Sequence, residues 1–291
     1  MSWLLDNNGD YVLDNAGNRI WVGESQAATP EYEIPTGLQV IAENRMTSVE
    51  ASSENANYPD DNVLDEHPKK VWKAVDSVTT ASLKCTFTGG CNTLAIFGSN
   101  ASSITANIRD PNAISWPDFV SNIWVDVVWV YTPITTTIEM QQTGNSFAMW
   151  ATFEYLEDTL TMDIIFNSSE TVQAGVVVAG EALGFRNPDY GLTQGAVDYS
   201  IPKQMSNGAF WFKQRDVVRT FSGKMLLERD AEFYSFMNTV ARVNSYSPMA
   251  WRVTDLDSFE WVVYARFTNQ PQGTHAYPIH SSVDFSIIEV L

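Results

Sequence analysis

The chain carries three histidines, two cysteines and 35 carboxylates, and these are the groups whose chemistry has to be tested first. A nucleophilic triad needs Ser or Cys beside a base that a third group orients. His67 sits in the acidic loop Asp60-Asp61-Asn62…Asp65-Glu66, where solvation is the ordinary state of a histidine. His275 and His280 bracket Tyr277-Pro278, and no Gly-x-Ser-x-Gly elbow occurs. No triad is expected. Among so many acids some pairs fall at glycosidase separations by chance. The densest group, Asp60, Asp61, Asp65 and Glu66, reads first as a solvated turn, with a calcium-stabilised loop or an acid/base pair as its alternatives. Cys85 and Cys91 are separated by Thr-Phe-Thr-Gly-Gly. With Gly89-Gly90 as a two-residue hairpin turn, Thr88 pairs with Cys91 and Cys85 lies opposite Leu94, so two free thiols are expected. Two cysteines without nearby histidines are too few for structural zinc. With no phosphate loop, dinucleotide fingerprint or Cys/His array either, the sequence predicts no enzyme, no cofactor and no metal.

Aromatic side chains offer a different chemistry, stacking. Of ten tryptophans, Trp124, Trp129 and Trp150 lie inside strand-like runs, and burial is the expected fate of Trp124 and Trp150. Trp116, in Ile114-Ser115-Trp116-Pro117, is loop-borne. With Asp60, Asp61 and Asn62 it forms the candidate glycan contact.

These groups must be positioned by a chain that is mostly strand. In residues 1–23, Leu5-Asp6-Asn7-Asn8-Gly9-Asp10 is echoed by Leu13-Asp14-Asn15-Ala16-Gly17-Asn18, turns between short strands that predict a β-meander. Turn chemistry accounts for its Asp and Asn without calcium. Glu24–Thr36, with Pro30 and Pro35, reads as a linker. Between Gly37 and Ala179 strands are predicted at Leu38–Ala42, Ser82–Thr88, Thr93–Phe97, Ser103–Ile108, Asn122–Tyr131, Thr135–Gln141, Ser146–Tyr155, Thr159–Phe166 and Ala174–Ala179, a spacing suited to a β-sandwich. Beyond Gly180 strands are predicted at Ala196–Ile201, Ala209–Lys213, Val217–Leu227, Phe259–Phe267 and Val283–Val290. Within this part an amphipathic helix spans 229–244, with Phe233, Phe236, Met237, Val240 and Ala241 on one face. It is predicted to lie across an antiparallel sheet.

Charge follows the same division. Residues 1–180 hold 7 Lys and Arg against 23 Asp and Glu, net −16, whereas residues 181–291 hold 10 against 12, net −2. So acidic a chain repels phosphate backbones, and no basic patch with interleaved aromatics compensates, so nucleic acid is not an expected partner. Met1–Asp10 has no signal-peptide pattern and no apolar run approaches the length of a membrane helix; neither export by signal peptide nor membrane insertion is expected. In Lys213-Gln214-Arg215…Arg219, alternation puts Arg215, Val217 and Arg219 on one face, a solvated face or a subunit contact.

Two resemblances attach to these segments. Asn62–Ala74, an acidic, Asn-bearing loop leading into Trp72, resembles discoidin-like, galactose-binding-type β-sandwiches over about Gly37–Ala179. The stretch from Tyr190-Gly191-Leu192 through Val197-Asp198-Tyr199-Ser200, the basic strand and the helix to Pro248…Trp251 is similar to tailed-bacteriophage tail-tip and distal-tail proteins over about Ala179–Leu291. Together they imply a mainly β chain: a meander and linker at 1–36, an acidic discoidin-like jelly roll at 37–179, and a β domain carrying one packed α-helix at 180–291. The implied function is a structural virion component at the distal tail, assembled in the host cytoplasm. It would form a cyclic hexamer or trimer through Arg215, Val217, Arg219, Phe233, Phe236, Met237 and Val240, beside other tail proteins. Its sandwich would be displayed for docking or weak host-glycan contact. A carbohydrate-binding or receptor-recognition adhesin is the alternative, and a glycan hydrolase the third.

Overall fold

Short runs of Val, Ile, Thr and Phe between Gly, Pro and Asn turns make strands the dominant element. The computed structural model describes residues 2–3, 21–22, 37–109, 135–141, 148–156, 159–189, 191–204, 210–241, 246–254, 261–275 and 279–290. Met1–Ile34 is one unit and Pro35–Leu291 another. In the first, β1 (Ser2–Trp3) and β2 (Trp21–Val22) pair antiparallel, Trp3 opposite Trp21. The meander strand expected around Tyr11, the linker and the strand expected at Asn122–Tyr131 lie outside the described residues.

The larger unit begins with β3 (Leu38–Ile41), followed by β4 (Met46–Ala51), β5 (Trp72–Lys73), β6 (Thr80–Phe87), β7 (Cys91–Phe97) and β8 (Ser103–Arg109). Then come β9 (Thr135–Gln141), β10 (Ala148–Leu156), β11 (Leu160–Asn167), β12 (Gln173–Ala174) and β13 (Val176–Gly180). The remainder is β14 (Ala182–Phe185), β15 (Thr193–Asp198), β16 (Ile201–Gln204), β17 (Phe210–Lys213), β18 (Val217–Glu228), a helix at 229–241, β19 (Met249–Arg252), β20 (Val262–Phe267), β21 (Gln272–Thr274) and β22 (His280–Glu289). The fold is mainly β with one short helix, as the sequence implies.

Among the described residues three sheets are stacked. A five-stranded sheet runs β4-β6-β11-β8-β9, a three-stranded sheet β10-β7-β13, and an eight-stranded sheet β14-β3-β19-β20-β22-β18-β15 with β21 beside β22. The middle sheet is apolar on both faces. Leu94, Ile96, Met149, Val177 and Ala179 pack toward Leu83, Phe87, Met162, Ile164 and Phe166. Their neighbours Ala95, Phe97, Trp150, Val176 and Val178 pack toward Ile41, Ala250, Val262 and Tyr264 of the large sheet. That is why β7 and β13 lack polar alternation: a strand covered on both sides is buried at every residue.

This layering corrects one expectation. β6 and β7 do not form a hairpin; the first belongs to the five-stranded sheet and the second to the middle one. β6 buries every second residue whereas β7 buries all of them, so the two cannot share a half-solvated sheet. The corner between them uses Gly89 at φ 84°, and the Arg45 guanidinium donates to the Gly90 carbonyl. Cys85 therefore lies opposite Met162 and Val49, and Cys91 opposite Leu156. Both are free, buried thiols.

The sandwich leaves and re-joins the large sheet between two neighbours. β3 pairs antiparallel with β14, Leu38 opposite Phe185 and Ile41 opposite Ala182. Gly37, at φ 79°, stands where a Cβ would run into the Phe185 carbonyl. From β3 the chain turns through Asn44, whose amide donates to the Val177 carbonyl (3.0 Å) and accepts from the Ala179 N–H (3.1 Å), stitching the departing chain to β13. Gly180-Glu181 then carries it from β13 to β14.

The helix covers the face of the large sheet opposite the sandwich. Its turns are wide, with i to i+5 geometry at Arg229–Phe233 and Phe236–Ala241. The Glu232 carboxylate accepts from the Glu228 N–H (2.7 Å) and pairs with Arg186 (3.2 Å), holding the start. Phe236 meets Phe185 edge-on at 5.2 Å and Phe267 at 6.3 Å. Among the described residues no helix is long and apolar enough to cross a membrane.

Candidate functional site

Among the described residues β15 is an edge strand of the large sheet, paired with β18 on one side, and its residues are nearly all exposed. The ladder runs from Thr193 opposite Ser222 to Asp198 opposite Val217. A second ladder, β16 with β17, resumes at Ile201 opposite Lys213. Two residues on one side, Tyr199 and Ser200, face three on the other, Gln214, Arg215 and Asp216, so the ribbon bends there in the manner of a bulge. Ser200 fixes the bend: its N–H donates to Asp198 Oδ1 (2.7 Å) and its Oγ accepts from the Arg215 N–H (3.0 Å). Hydrogen bonds to Asp198 from Ser200, its hydroxyl first and its N–H second, hold the Asp198 carboxyl below its ordinary range.

Beyond the bend, β16 and β17 form an arm. Ten large apolar side chains are conspicuously exposed among the described residues, and five of them, Val197, Tyr199, Ile201, Trp211 and Val217, belong to this edge and arm. Trp211 is 46% exposed and Val217 53%. Such a concentration on one feature exceeds what scattered surface hydrophobes need explaining.

At the base of the arm lies an open cleft of about 770 Å³, lined by Lys69 from the sandwich, by Tyr199, Gln214, Arg215 and Asp216 from the bend, and by Arg266 from the sheet face. Lys69 is ion-paired to Asp216 across it. The other acidic lining residue, Glu289, is held by Arg219 at 2.8 Å.

The residues singled out by sequence fall in different places. Asp60 accepts from the Ala51 N–H (2.8 Å), and the buried Asn62 amide donates to the Val71 carbonyl (2.9 Å); both brace the turn Asp60–Leu64, and Asp61 is exposed. That turn leads to Trp72, fully buried against Phe166 at 5.6 Å. Lys70 holds the Asp65 carboxyl below its ordinary range through a 2.7 Å bond. Trp116 lies outside the described residues. Of the proposed subunit contacts, Arg215 lines the cleft and Val217 is exposed, whereas Arg219 serves Glu289. Phe233, Phe236 and Val240 are buried in the chain's own core and Met237 is half-buried against it, so the helix's apolar stripe is used internally.

His275 Nδ1 lies 2.7 Å from Ser281 Oγ, the one Ser–His contact among the described residues of the kind a triad requires. Ser281 is 0% exposed, out of reach of a substrate, and among the described residues no carboxylate pairs with His275. His280 faces Arg186 at 3.2 Å and His67 is exposed. Among the described residues no three His, Cys, Asp or Glu converge as metal ligands.

Lys69, Tyr199 and Arg266 were not marked by sequence as a group. Tyr199 interrupts an apparently continuous strand at Ala196–Ile201, and Arg266 is the one exposed position of β20; both signals are local, and only the layering brings them to one cleft.

No protein-family model and no curated protein matches the chain. Among solved structures, a chitosan-binding module from a chitosanase/glucanase of Paenibacillus sp. IK-5 aligns at 14% identity and a TM-score of 0.35, covering 48% of this chain and 98% of that one. A fucose-binding module of Streptococcus pneumoniae aligns at 10% identity and a TM-score of 0.34, again covering 48% and 98%.

Proposed function

We propose that the protein is a structural, non-catalytic component of a phage tail that self-assembles through β15 and the β16–β17 arm, displaying the inserted sandwich outward. The observation that carries this reading is the concentration of exposed Val197, Tyr199, Ile201, Trp211 and Val217 on an arm beside an open sheet edge. The occupant is a second copy, held head to tail. Exposed Lys213 and Arg215 stand beside exposed Asp198 and Asp216 at the bend and arm, and residues 1–180 net −16. Contact of the two basic side chains with the acidic half joins opposite charges. Head-to-tail contacts that close give rings, of which a hexamer or trimer fits tail symmetry. The helix then braces the sheet from behind rather than forming the contact.

Sedimentation velocity on the full chain tests this. The expected result is a concentration-dependent oligomer that Trp211→Ser with Val217→Asp converts to monomer without lowering the melting temperature. A wild-type chain that stays monomeric at high micromolar concentration, or an oligomer that survives both changes, would count against it.

Glycan contact by the sandwich is a second reading, favoured by Tyr58. The ring is 41% exposed with Lys73 Nζ 5.3 Å from its centre, and backbone bonds to Asn55 and Lys73 hold it in place. Loss of saccharide binding in Tyr58→Ala, with Trp116→Ala as the parallel variant, separates this from assembly.

A further inference from the structure

The cleft at the base of the arm shares Tyr199 and Arg215 with the proposed assembly surface, and its charge is unusual for this chain. In a protein of formal net charge −18, both of its carboxylates are already taken, Asp216 by Lys69 and Glu289 by Arg219. Arg215 and Arg266 line the same cleft, are exposed, and have no ion partner among the described residues. Two guanidinium groups without an ion partner inside the described chain, in one concavity, are a receptor for negative charge, since each offers a planar fork of donors matched to a carboxylate.

The fold explains how the cleft arises. Tyr264, two residues before Arg266 and on the same face of β20, is buried where the sandwich covers the sheet. Arg266, in register with Ile288, is where that cover ends. The sandwich loop at Lys69 forms one wall and the bend of the arm the other, so the cleft lies between the inserted sandwich and the sheet it leaves, a common setting for ligand sites.

We infer that this cleft binds an acidic saccharide, with the carboxylates of uronic-acid-type sugars on Arg215 and Arg266 and a sugar ring against Tyr199. Tyr199 is 50% exposed and supplies an apolar ring face beside the two cations. Gln214 adds an amide donor and acceptor, and Asp216, exposed even while paired, adds an acceptor for hydroxyl groups. Donors and acceptors of both kinds around an aromatic ring suit a hydroxyl-rich ligand. An acidic peptide offers the same carboxylates without the ring of hydroxyl groups, and is the competing occupant. The site is separate from the Asp60-Asp61-Asn62 turn and from Tyr58.

Isothermal titration of the full chain with trigalacturonate and with a hyaluronan tetrasaccharide tests the inference, with maltotriose and a glutamate tripeptide as comparisons. At least one acidic saccharide should bind saturably, more weakly as salt is raised. Arg215→Gln and Arg266→Gln should each weaken it by about tenfold, and Tyr199→Ala should weaken it with its salt dependence intact. Because these side chains are exposed, the variants should melt with the wild type, which keeps a binding loss distinct from unfolding. Failure of both acidic saccharides to bind, binding indifferent to the two arginines, or equally tight binding of the glutamate tripeptide would each overturn it.

Discussion

Trp150 and Gln39 join the middle sheet to the large sheet, and their bond predicts whether the stacked layers unfold as one body. Trp150 Nε1 donates to Gln39 Oε1 at 3.0 Å, and the two residues are 6% and 1% exposed. Gln39→Leu keeps side-chain bulk but leaves the indole N–H without this acceptor in a place water does not reach, at a cost of about 1–3 kcal/mol. Trp150→Phe removes the donor and part of the ring area, at a cost of about 1–3 kcal/mol. The double variant removes both polar groups together. It should cost less than the two single changes added, by about 1–2 kcal/mol. The assay is urea unfolding of all four proteins, followed by tryptophan fluorescence and by circular dichroism. Coincident single transitions are expected, with Gln39→Leu also lowering the melting temperature by roughly 2–10 °C. Strict additivity within about 0.5 kcal/mol, or two separated transitions of which only one moves, would refute the coupling and with it the account of the middle sheet as shared core.

Four further outcomes follow from the same structure. Burial pushes the Cys85 and Cys91 thiols up from 9.0 to about 12; neither should react with a thiol reagent at pH 8 in the native state, and both should react in denaturant. Because the folded values are the higher ones, the stability held by the neutral thiols is fully present below pH 9.0 and lost as pH rises toward about 12, which denaturation measured across that window will show. Phe236→Ala should cost about 3–5 kcal/mol in unfolding experiments, since the ring is wholly buried between helix and sheet. Lys69→Ala should change stability by less than about 1 kcal/mol, because its pair with Asp216 is more than half exposed at both ends; a large loss would mean that this pair holds the sandwich in place.

Much of the secondary structure is legible in the sequence because strand and helix periods are local. β8, β9 and β17 fall within a residue of where alternation and turn residues place them. The helix is there with Phe233, Phe236 and Val240 inward, for spacing alone puts them on one face. What each face meets is not local. The Gly89-Gly90 turn has hairpin chemistry, yet β6 and β7 part into separate sheets, because a two-residue turn does not reveal whether its second strand will be covered on one side or two. Asp60 and Asn62 have the side chains of a ligand-binding loop, yet their bonds to Ala51 and Val71 are fixed by where the chain returns.

By itself, then, the sequence determined the β-rich class, the acidic first part and the amphipathic helix, all properties of composition and short-range period. Only the tertiary structure decided that the sandwich is inserted between adjacent strands of a larger sheet. It also decided that the helix's apolar stripe is consumed inside the chain, and that Lys69, Tyr199, Arg215 and Arg266 line one cleft. These depend on pairings such as Leu38 with Phe185 and Arg266 with Ile288. Contacts across such separations are chosen by the packing of whole layers, for which no short stretch of residues carries the pattern.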